Sequence, residues 1–210
     1  ESLKQAFGIA ELTSVEQYLN AEMLSLIVPL AVGYLAVRSI ASGLSGAAET
    51  GRLDVLLSAP IARRSLVVSG FAATAVELAA VLLAGVLICA LGSLLAGSGL
   101  SFGLALAGYA NVWPLALLFA GLGAVASGFS LRTSVVTGSV AGVLVAMYVI
   151  DLIGRLDASL DWVRYGSVFG YYGRAIEDGI EPASFLGVTA AAVALAALGA
   201  WLFERRDLAA

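Results

Sequence analysis

Few side chains in this sequence are equipped for chemistry, and the absences narrow the choice quickly. There is no histidine, one lysine (Lys4) and one cysteine (Cys89, inside an apolar run). Ser-His-Asp and Cys-His nucleophilic sites, histidine-based metal sites and disulfides are therefore out of reach. No G-x-x-x-x-G-K-[ST] phosphate loop occurs, since Lys4 is not preceded by glycine, so the chain does not cradle ATP by a P-loop. The sequence reads as a non-enzyme with no catalytic residue and no metal or cofactor of its own. Two features remain. Glu77 is a carboxylate within an apolar run, about 18 Å from Ser65 at 1.5 Å per residue. A carboxylate at that depth costs roughly 2.5–3.5 kcal/mol on insertion scales, so it should face the bundle or a cavity. Either it lines a translocation path, or it is a protonated acid hydrogen-bonded to a neighbouring span.

The second feature is Glu49 to Arg64, ETGRLDVLLSAPIARR, the polar connector between two long apolar runs. Leu53, Leu56 and Leu57 fall at i, i+3 and i+4, on one face of a short helix over 49–60. Gly51 loosens its start. Pro60 closes it, because proline disfavours helical geometry at Ala59 and has no N–H. Arg63 and Arg64 then stand at the foot of the next run. Such a leucine-edged rod suits docking into a partner; lying flat on a lipid surface is the plainer use of the same pattern.

The elements that position these residues follow from composition. Hydrophobic residues make up 60% of the chain and charged residues 12%, more apolar surface than 210 residues could hide in water. The expected fold is all-α, a polytopic transmembrane helical bundle forming a single domain. Five spans are predicted at 23–44, 66–95, 102–129, 135–153 and 182–203. The segment 1–22 is polar and 154–181 is rich in aromatics, which suits short helices at the membrane interface. If the rod is cytoplasmic, Arg38, Arg52, Arg63, Arg64, Arg132, Arg205 and Arg206 lie inside. That is the positive-inside bias; it sets the N-terminal segment and the acidic, aromatic segment outside and the C-terminus inside. Arg38 then reads as a snorkelling anchor at the inner edge, and the outer acids read as solvated loop charge. Small residues four apart in Ala120/Ala124/Gly128, Gly138/Gly142/Ala146 and Ala192/Ala196/Ala200 suit close helix packing.

The pattern E-x-G-x-L-x-x-L-L-S-x-P-x-x-R, carried by Glu49, Gly51, Leu53, Leu56, Leu57, Ser58, Pro60 and Arg63, resembles the signature of type-2 ABC export permeases. These are membrane subunits of ATP-binding-cassette exporters, including those for antibiotics and other lipophilic drugs. WVRYGSVFGYYG (Trp162 to Gly173) and FERRDL (Phe203 to Leu208) are similar to family features too, and the likeness runs along the whole chain. The resemblance implies that the rod is a coupling helix seated in a groove of an ABC ATPase subunit. Glu49 and the Leu53/Leu56/Leu57 ridge would make that contact. It implies ATP and magnesium held by the partner, a second permease half, a bacterial inner membrane, antibiotic-resistance efflux and no nucleic acid. Ala48 and Arg52 depart from the family pattern, which has an acid run and Ser or Thr there. The family's half-unit has six spans, so a first span is expected upstream of Glu1.

The expected function is export of a lipophilic or amphipathic compound by alternating access coupled to the ATPase. A secondary transporter using Glu77, or a non-transporting membrane scaffold, are the other readings. A secondary transporter normally pairs acids and broken helices in inverted repeats, and no such repeat is visible.

Overall fold

Five long apolar helices dominate the structure. The computed structural model describes residues 20–52, 62–97, 100–172 and 175–205. A π-helical stretch, Asn20–Ile27, runs into α1 (Val28–Glu49). Pro29 sits in the first turn of α1, where a missing N–H costs nothing. There follow α2 (Arg63–Ala96), α3 (Phe102–Phe129) and α4 (Thr133–Leu156). Two 3-10 helices, Ala158–Gly166 and Val168–Tyr171, and the short α5 (Ala175–Asp178) lead to α6 (Pro182–Arg205). No strand occurs among the described residues. The five long helices are each long and apolar enough to cross a membrane, as the composition demands. The leucines and proline of the predicted rod, Leu53, Leu56, Leu57 and Pro60, lie outside the described residues.

At the centre is α3. It is apolar all round, and a helix of that kind must be enclosed by others. Val112, Ala116, Phe119 and Ala120 are buried in it, and the helix runs unbroken through Pro114. Its tightest neighbour is α6, and small residues set the approach. A Cβ added at Gly121 would stand 2.8 Å from the Ala192 carbonyl oxygen; one at Gly199 would stand 2.6 Å from the Ala124 backbone. The rows at Ala120/Ala124/Gly128 and Ala192/Ala196/Ala200 therefore meet each other. The third row behaves differently: nothing lies within 4 Å of a Cβ at Gly138 or Gly142.

On the other side of α3 lies α1, flanked by α2 and α4. Gly33 of α1 faces Leu144 of α4, and Gly70 of α2 faces Ile40 of α1. At 34 residues, α2 is about 51 Å long, well beyond a hydrocarbon layer of about 30 Å. It buries only the stripe Val67, Thr74, Leu78, Leu82 and Val86. Trp113 pins it to α3 by donating to the Ala75 carbonyl at 2.9 Å. Inside the bundle, every buried side-chain nitrogen or oxygen among the described residues has a hydrogen-bond partner.

Candidate functional site

Glu49 is the last residue of α1, and the chain leaves the helix through a left-handed glycine. Gly51 has φ of 69°, the usual way to stop an α-helix. Thr50 folds its hydroxyl back onto the Gly46 carbonyl at 2.8 Å and satisfies one of the orphaned acceptors of the last turn. Gly51 is thus a helix stop, a firmer role than loosening the start of the rod. Arg63 opens α2 on the far side of the undescribed residues.

The carboxylate of Glu49 reaches sideways. Thr133, the first residue of α4, donates its backbone N–H to Oε1 at 3.1 Å and its hydroxyl to Oε2 at 2.6 Å. Both oxygens are engaged at a helix N-terminus, where an anion is favoured by the free N–H groups and by the helix dipole. The side chain expected to reach a partner therefore joins the ends of α1 and α4. Beside this joint, buried Ser45 donates to Ser127 at 3.2 Å and to the Ser130 carbonyl at 3.1 Å, fastening α1 to the end of α3 as well.

Deeper in the bundle, Glu77 lies 14 residues, about 21 Å, from the start of α2. Ser39 of α1 donates to its Oε2 at 2.5 Å, and Thr74 donates to the Ser39 hydroxyl at 3.2 Å. The hydrogen bond to a neighbouring span is present, yet Glu77 is exposed at the lip of the α1–α2 seam. The contact also fixes the depth of Arg38, one residue before Ser39. After Arg38, α1 continues for 11 residues, about 16 Å, to Glu49. Arg38 therefore sits level with Glu77 along the seam. Its guanidinium has no hydrogen-bond or ion-pair partner among the described residues.

The aromatic end of the bundle holds what sequence reasoning missed. Asp151 is 1% exposed. It accepts from Arg155 at 2.7 Å and from Arg164 at 3.0 Å, and Arg164 also binds Asp161 at 3.0 Å. These acids are not all solvated loop charge; Asp151 ties the first 3-10 helix to α4. Burial pulls the Arg164 guanidinium down, but its hydrogen bonds and charge pairing with Asp151 and Asp161 outweigh that and hold it above its usual value. Gly154 gives Arg164 room to cross, since a Cβ there would meet its side chain. The Asp151/Arg155 spacing of four was the available signal. Arg164 comes from a separate element, which spacing does not reveal. Beside this knot a cavity of about 540 Å³ opens between Leu118, Met147, Val168, Tyr171 and Val188, with almost wholly apolar walls.

The chain matches, over residues 1–204, the family described as "Multidrug efflux system permease Rv1217c, C-terminal domain". The chain belongs to that family. It is a multi-pass membrane permease of the efflux type, which agrees with five membrane-length helices. No curated protein and no solved structure matches it.

Proposed function

We propose that this chain is the permease unit of an ATP-binding-cassette exporter that moves lipophilic or amphipathic compounds out of a bacterial cell. The observation that carries the reading is the two-point grip of Thr133 on Glu49, at the foot of a segment that resembles a coupling helix. In this reading the Leu53/Leu56/Leu57 ridge docks in a groove of an ABC ATPase subunit, which holds ATP and magnesium. Displacing the rod pulls α1 through Gly51 and α2 through Pro60 and Arg63. Through Glu49 it also moves α4, so three spans respond to one push. The cavity between this bundle and a second permease half then faces each side of the membrane in turn. The rod end is cytoplasmic by the positive-inside bias, and the aromatic end faces outward. A gradient-driven transporter would need paired acids at the midplane; Glu77 stands alone.

Crosslinking tests this. A photoreactive group on cysteine at Leu56, in a Cys89→Ala background, should form an adduct with the co-purified ATPase. Adducts confined to lipid headgroups would overturn the coupling assignment.

A further inference from the structure

We propose that the lip of the α1–α2 seam recognises the ammonium group of a cationic amphipathic cargo. Glu77 is the acceptor, and Arg38, level with it but not paired with it, is a nearby positive charge that opposes the ammonium. The inference rests on the export reading above and names the class of compound.

Depth is the first ground. Glu77 lies about 21 Å along α2, within its apolar run, and Arg38 is level with it within the apolar α1. Charges there are expensive against lipid and belong on a surface facing water or a polar ligand. Exposed Ala31, Tyr34, Arg38 and Ser42 of α1 recur at intervals of three or four and form one stripe, next to Ser39 and its contact with Glu77. Elsewhere in the described bundle, the buried acid Asp151 is fully paired. Among the described residues, this face alone carries charge inside the apolar runs without an ion pair.

Chemistry is the second ground. The Ser39 hydroxyl, itself held by Thr74, occupies Oε2 of Glu77 and fixes the carboxylate in place. Oε1 has no partner among the described residues and is free to accept from a cation. A carboxylate oxygen held ready in this way takes an N–H of an ammonium at about 2.7–2.9 Å. Exposed Tyr34, one turn from Arg38, lies on the same stripe, and aromatic rings also favour a cation. Exposed Val76 and Val81 flank Glu77 and suit the cargo's apolar body. Arg38 forms no ion pair with Glu77, and its positive charge disfavours an ammonium at the same level. Removing Glu77 and removing Arg38 should therefore act in opposite directions.

The test uses the full-length permease in vesicles, labelled without ATP by a dodecylamine bearing a terminal diazirine and by the matched dodecanol. Glu77→Gln should raise the amine concentration for half-maximal labelling by roughly tenfold or more, with the alcohol unchanged. Arg38→Gln should lower the amine value. If Glu77→Gln does not accumulate, Ser39→Ala serves: it keeps the charge, frees its orientation and should weaken amine labelling about threefold. Three results would overturn the proposal: Glu77→Gln labelling like the parent, amine and alcohol weakening together, or both charge variants losing amine labelling alike, as a structural ion pair would. Labelling does not depend on ATPase coupling. Leu56→Asp should leave it intact while export stops, so failure of the export reading is seen separately.

Discussion

Glu49 shows how much one carboxylate can organise when it sits between two helix ends. Its bonds to Thr133 are exposed, so their contribution to stability is about 1 kcal/mol at most. Their role is geometric. Glu49→Ala and Thr133→Val should each lower unfolding stability by under about 1 kcal/mol. The double variant should be little worse than either, and a thermodynamic cycle on the purified permease measures that coupling. Asp151 is a different case, because removing one member of a buried ionic cluster leaves the others stranded. Asp151→Ala should cost roughly 3–5 kcal/mol, read as a fall in thermal midpoint. At this scale Glu77 was legible in the sequence, because an acid in an apolar run must find a partner. Ser39 and Arg164 were not: hydroxyls are common in spans, and a partner from another element leaves no periodic trace.

Helices and turns were the most legible part of the molecule. An apolar run bounded by Gly, Pro or charge defines a span whatever surrounds it, so all five long helices fell where the runs lay. Small-residue rows were legible as packing surfaces but not as to which partner they meet. Gly121 closes on Ala192, whereas Gly142 has nothing within 4 Å. Gly121→Leu should therefore overpack the α3–α6 contact and cost about 1–3 kcal/mol or more. Gly142→Leu should change the stability of the bundle by no more than about 0.5 kcal/mol. Thermal unfolding in detergent compares the two directly. The first 3-10 helix carries a pH-dependent start. The Ser159 hydroxyl donates to Asp157 at 2.7 Å and the Ser159 backbone N–H at 2.9 Å, which holds the carboxyl below its usual value of 3.8. A depressed carboxyl lends stability above its unfolded value, and that stability is lost as pH falls through the folded one. Fluorescence of Trp162, in a variant lacking the other tryptophans, should therefore change below about pH 4. Asp157→Asn should remove the change.

For the molecule as a whole, the pattern of attachment matters more than any single contact. One segment enters from α1, leaves into α2 and is braced against α4 by Glu49, while α3 and α6 form a tightly packed back. That division suits a lever set against a fixed support. The membrane class was legible from composition and the efflux family from the whole chain. The division of labour among the spans was not, because it depends on which faces meet. In the proposed mechanism a push on the leucine-edged segment drives these spans. The most direct measurement is ATP hydrolysis by the co-purified ATPase–permease complex in vesicles, with and without a lipophilic amine as cargo. Cargo should stimulate hydrolysis, and Leu56→Asp should abolish that stimulation while the complex's permease stays folded. Stimulation unchanged in Leu56→Asp would contradict it.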